Sequence, residues 1–137
     1  MEETLQSLEL EKKKLCRRLA ELGDFRRGTI SVNYRKCGKK NCVCARHGHP
    51  GHGPQYLWNS TRGSKSLAEN LPLGPRLEKA RKEQTNYRLF LELTKQLVEV
   101  NEKICSLRPE REIEDPQELD ELKKKLRRQF SKKSARK

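Results

Sequence analysis

Long apolar runs are missing from this sequence. No stretch approaches the roughly 20 apolar residues that cross a bilayer, so no membrane partner is expected. The opening segment MEETLQSLELEKKK has no apolar run of the signal-peptide kind, and the expected location is the cytoplasm. Aromatic residues are scarce at 5%, and hydrophobic residues as a whole make up only 32% against 37% charged. Apolar burial then offsets chain entropy poorly, and two separate cores are not expected in 137 residues. A short polar chain of this kind needs another aid: a metal, disulfides, or pairing of long helices. Acid is also in deficit, 19 Asp and Glu against 32 Lys and Arg, which leaves a net charge of +13. Such a surface attracts polyanions, and nucleic acid, DNA or RNA, is the expected partner.

The leucines Leu5, Leu8, Leu15, Leu19 and Leu22 recur at three- and four-residue spacing and predict an amphipathic helix over 2–22, with Gly23 as a stop signal. Residues 28–34 then alternate, Ile30, Val32 and Tyr34 against Thr29, Ser31 and Asn33, which predicts a strand. A second strand is expected over 55–59, a turn over 60–64 and a third strand over 65–71. Pro75 suits the first turn of a long helix over 75–107. Its stripe of Phe90, Leu93, Leu97, Val100, Ile104 and Leu107 is regular, widened by Tyr87, Leu91 and Val98. The first part of that helix, Arg76 to Arg88, is nearly all polar and basic and is expected to project. Asp115-Pro116-Gln117-Glu118 carries an N-cap, a first-turn proline and a reciprocal capping glutamate. A third helix comes next, with Leu119, Leu122, Leu126 and Phe130 on one stripe. Lys123 to Lys137 holds nine Lys or Arg and no acid, which predicts a basic tail.

Five cysteines in a reducing compartment point to metal rather than disulfides. Cys37, Cys42 and Cys44 lie within eight residues and are followed by His47, His49 and His52 in a Gly- and Pro-rich stretch. Zinc takes thiolate and imidazole ligands in a tetrahedron, with bonds near ~2.3 Å to sulfur and ~2.0 Å to nitrogen. Three cysteines and one histidine would close the shell, leaving no position for a catalytic water. The expected role is structural, on the order of 10–16 kcal/mol toward folding. Cys42 and Cys44 would not converge from a flat strand, so a turned backbone is expected there. His52, which leads into the second strand, is favoured as fourth ligand, with His49 the alternative. Cys16 and Cys105 each sit alone at or near the apolar face of a helix and read as small buried thiols.

The order Tyr34-Arg35-Lys36-Cys37-Gly38-Lys39, Cys42-x-Cys44, His52-Gly53-Pro54, Tyr56 and Gly63-x-Lys65 resembles a family of short prokaryotic proteins. That family is defined as a domain of unknown function and is often associated with transposases and other mobile elements. The likeness runs from about Gly23 to Leu107. It implies a zinc site of Cys37, Cys42, Cys44 and the histidine of His-Gly-Pro, His52. His47 and His49 are extra to the pattern, so His49 stays open as the alternative.

Basic residues interleave with Tyr34, Tyr56 and Trp58 through this central part. Arg35, Lys36, Lys39, Lys40, Arg62 and Lys65 are the candidate phosphate contacts, and exposed aromatic faces can stack on unpaired bases. Tyr56 and Trp58 read first as core. The second function class is an adaptor or homodimer acting through the long helices, alone or in a larger protein complex. No catalytic residue is expected, because no carboxylate accompanies the histidines. The expected fold class is α+β: an N-terminal helix, a small zinc-anchored antiparallel sheet of about three strands, a long amphipathic helix, and a basic C-terminal helix with its tail. The corresponding segments are 1–22, 23–74, 75–107 and 108–137.

Overall fold

The computed structural model describes residues 2–131, and the basic tail expected over 132–137 lies outside them. The chain divides into two compact units, Met1–Cys105 and Ser106–Lys137. The first holds helix α1 (Leu5–Ala20), strands β1 (Thr29–Arg35), β2 (His52–Arg62) and β3 (Lys65–Leu71), and nearly all of helix α2 (Pro75–Leu107). Helix α3 (Pro116–Gln129) belongs to the second. Among the described residues no helix is long and apolar enough to cross a membrane.

Thr4 starts α1 with a capping box: its hydroxyl accepts the Ser7 N–H at 3.1 Å, and the Ser7 hydroxyl accepts the Thr4 N–H at 3.0 Å. The sheet is antiparallel in the order β1-β2-β3. β2 is longer than the alternation suggests, because Ser60, Thr61 and Arg62 pair with Leu67, Ser66 and Lys65 instead of turning. Two residues, Gly63 and Ser64, make the whole turn. Gly63 has φ 62° and Ser64 is not among the residues of positive φ, the pattern of a type II′ hairpin.

Register puts Trp58 between Ile30 and Glu69, and Tyr56 between Val32 and Leu71, so these side chains share one face. The first half of α2 covers that face and does not project as expected. Trp58, Leu71 and the small Ala80 form a buried cluster, with Ile30, Tyr56 and Leu77 packed against it. Amphipathicity is hidden here because Glu83, on the covered side, is itself buried. Its charge is met by Arg26 Nε at 3.3 Å and by Lys79 one turn back. Arg26 also pairs with Glu69 and lies over the Trp58 ring, 4.1 Å from its centroid.

The second half of α2 packs on α1. Leu8, Leu15, Leu93, Val100 and Ile104 are buried together, with Leu5, Leu19, Leu22 and Leu97 around them. Glu3 pairs with Lys103 while Asn86 donates to the Asp24 carbonyl, so the two helices run antiparallel. Two apolar clusters therefore form where one was expected, and α2 serves both. Cys16 and Cys105 are exposed, contrary to expectation. Leu15 and Ile104, one residue before each, take the inward positions, and a step of one residue turns the next side chain about 100° around the helix.

In the second unit, Asp115 caps α3 by accepting the Gln117 N–H at 3.0 Å, with Pro116 as first helical residue. The reciprocal bond expected of Glu118 is not made among the described residues. No residue of α3 is buried, and Phe130 is 83% exposed.

Candidate metal centre

The cysteine segment leaves β1 just where the ladder becomes irregular. Regular pairing runs from Thr29↔Asn59 to Asn33↔Gln55, and then slips before Arg35↔His52. Such an irregularity bends a strand and re-aims the residues beyond it. Gly51 makes the approach possible: its φ is +108°, and a Cβ there would stand 2.6 Å from the Arg35 carbonyl carbon. Beyond Gly38 the chain folds into successive turns. The Cys42 N–H donates to the Lys39 carbonyl, and the Ala45 N–H to that of Cys42. Cys44 sits in a 3-10 turn at Val43–Ala45, the non-extended backbone that a Cys-x-Cys pair requires.

These turns gather Cys37, Cys42, Cys44 and His52, whose ligand atoms all lie within 4.8 Å of one another. Cys37 and Cys44 sulfurs are 3.5 Å apart, and Cys42 Sγ is 3.1 Å from His52 Nε2. A tetrahedral zinc with the usual bond lengths has edges of about 3.5–3.8 Å; the sulfur pair matches that edge, while the 3.1 Å sulfur–nitrogen pair would have to open by a few tenths of an ångström to admit the ion. The Cys37 N–H donates to Cys44 Sγ at 3.4 Å, the kind of outer bond that stabilises a thiolate ligand. Cys44 is buried, Cys42 half-buried, and Cys37 and His52 exposed. The cluster can hold a metal ion.

The thiols differ in readiness. The Lys39 backbone bond, with His52, Cys44 and Cys42 beside it, lowers Cys37 to about 6 despite some desolvation. Cys44 is pulled down by the Cys37 N–H, but burial and the Cys37 and Cys42 sulfurs outweigh this and raise it above the ordinary thiol value. Of these two thiols, Cys37 is the readier to meet an arriving cation.

His49 is engaged elsewhere: its Nδ1 accepts the Gly51 N–H at 2.9 Å. Neither His49 nor His47 joins the cluster. Gly51 escaped notice in the sequence, where the only trace was its place between His49 and His52. The six basic candidates do not come together. Arg35 ends β1 and Lys36, Lys39 and Lys40 lie in the cysteine segment after it, while Arg62 and Lys65 face each other at the hairpin. Ten residues of β2 separate the two groups, roughly 30 Å of strand. All six are exposed.

Residues 5–72 match the family described as a domain of unknown function (DUF6788), just short of half the chain. The match takes in α1, the sheet and all four candidate ligands, and stops before α2. No curated protein and no solved structure matches the chain.

Proposed function

We propose that this is a cytoplasmic nucleic-acid-binding protein whose sheet is pinned by a structural zinc ion, and that it serves as an accessory subunit of a mobile-element or other nucleoprotein complex. The observation that carries it is electrostatic. Arg35, Lys36, Lys39, Lys40, Arg62 and Lys65 are exposed, and none has an ion-pair partner among the described residues. Cations left without carboxylates on a chain of net charge +13 are available to phosphates. Zinc is favoured over other metals by three thiolates and one imidazole in a four-donor set. Four protein donors leave no coordination position for water, so no catalytic step is assigned to the metal.

The test is binding of the metal-quantified protein to single-stranded and duplex DNA and RNA at two salt concentrations. Affinity should fall with salt. Changing Arg35, Lys36, Lys39 and Lys40 to Gln should flatten the slope by about 0.7–0.9 for each phosphate no longer neutralised. Absence of binding at low salt would sink the proposal.

A second reading, homodimerisation through α2, is favoured by Leu91 and Val98. They stand one heptad apart, about half exposed, on a side of α2 away from its buried residues. A monomer by sedimentation would remove it.

A further inference from the structure

Charge names a polyanion without saying how a base is met, and the hairpin end of the sheet carries a feature suited to that. An open groove of about 580 Å³ lies beside the strands there. Phe25, Tyr87, Trp58 and Leu67 form its apolar wall, and Arg27 and Arg62 border it. We propose that this groove binds single-stranded nucleic acid, seating an unstacked base against Phe25 and Tyr87 while Arg27 and Arg62 hold the adjoining phosphates. The proposal rests on the nucleic-acid function above and gives it a site.

The aromatic wall is built before any ligand arrives. Phe25 stacks on Phe90 with centroids 4.7 Å apart and planes 18° from parallel, and the Tyr87 ring is inclined 25° to Phe25 and 17° to Phe90. Rings already fixed in one orientation lose little freedom on binding. Phe25 is nevertheless 42% exposed and Leu67 46% exposed, so apolar surface remains open. Base-on-ring stacking is the contact that single strands offer and duplexes withhold, because duplex bases already cover each other's faces.

The charges sort in the same direction. Arg26 also borders the groove but is spent on Glu69, Glu83 and the face of Trp58. Glu69, the only acid lining the groove among the described residues, is held by that same arginine at 3.2 Å. Arg27 and Arg62 have no carboxylate partner among the described residues. The volume falls in the range of ligand sites, about 300–1,000 Å³, enough for a nucleotide with its sugar and phosphate. The groove is open, so a strand can pass through it.

Trp58 is the only tryptophan in the chain and borders the groove beneath Arg26, so its emission responds to occupancy through that arginine. The experiment follows Trp58 emission and oligonucleotide anisotropy with the full-length, metal-loaded protein, for wild type, Phe25→Leu and Arg27→Gln. Metal content and helix content check the fold of each variant. A single strand should quench Trp58. Phe25→Leu should weaken single-strand binding about tenfold with under about twofold change for duplex, since stacking is worth that order per base. Arg27→Gln, away from the aromatic stack, should lower the single-strand salt slope by about 0.7. If wild type binds nucleic acid but both variants match it on single strands, the groove is wrong and the broader function stands. Equal losses on single strand and duplex would reduce the site to phosphate contacts and overturn the stacking claim. Competition by a mononucleotide as strong as by an oligonucleotide would overturn the strand as ligand. Wild type that binds neither form overturns both.

Discussion

His52 and His49 are three residues apart in a loop with similar neighbours, yet they have different work. His52 opens β2, and its Nε2 faces Cys42 Sγ, whereas His49 accepts a backbone N–H from Gly51. His52→Ala should therefore lose metal to a colorimetric chelator at concentrations that His49→Ala and the wild type withstand. Equal retention by both variants would refute the four-donor set. The thiols add a pH signature. Loading the site releases protons, so metal affinity falls as pH falls. Cys44, raised above the ordinary thiol value, is protonated at neutral pH in the metal-free fold and contributes to that slope there. Cys37, lowered to about 6, is already a thiolate at pH 7 and adds its proton to the slope only below that point. Affinity measured by competition should thus depend on pH more steeply below about 6 than above it. The three thiols were legible from spacing alone. His52 was already favoured because it leads into β2, and it is the histidine that joins the cluster; what the sequence could not show is why His49 stays out, which depends on Gly51 lying against β1, a contact between residues 16 apart.

At the scale of elements, α2 shows where periodicity informs and where it misleads. The stripe from Leu93 to Ile104 is ordinary helix-on-helix burial and can be read from three-and-four spacing. The half before it looks solvent-exposed because its inward residues are an alanine and a glutamate. Ala80 lets the helix come close to Trp58 and Leu71, and Glu83 is made tolerable by Arg26, which comes from the distant segment before β1. Neither contact has a periodic trace. Ala80→Leu should overpack this junction and cost about 1–3 kcal/mol, read as a lower urea midpoint with an unchanged slope. Wild-type stability in that variant would mean that α2 does not rest on the sheet. β3 and α2 could be bounded from Pro and Gly punctuation, but the length of β2 could not, since Ser60 and Thr61 suit a turn as well as a strand.

For the whole molecule, the two apolar clusters stand differently toward the candidate metal site. The sheet's cluster adjoins strands whose far end carries candidate donors, whereas the α1–α2 cluster contains none of them, so a bound ion would tie the sheet alone. Chelation should therefore release the sheet first. Trp58 emission should shift to the red while most of the helical ellipticity persists, and simultaneous loss of both signals would show a single cooperative unit. A further consequence concerns the rate of assembly. Asn86 meets the Asp24 carbonyl across 62 residues of chain at the near ends of the two helices, so the helical hairpin is closed by a long loop. Much of that loop is the sheet, and a cation that ties Cys37 to His52 shortens the distance the ends must search. Loop-closure entropy grows with the logarithm of length, and contacts of long sequence separation slow folding. The saving is small on that scale, about 0.2 kcal/mol, so stopped-flow refolding with and without zinc should differ by less than about twofold, and a larger acceleration would mean that the ion organises more of the chain than this one loop.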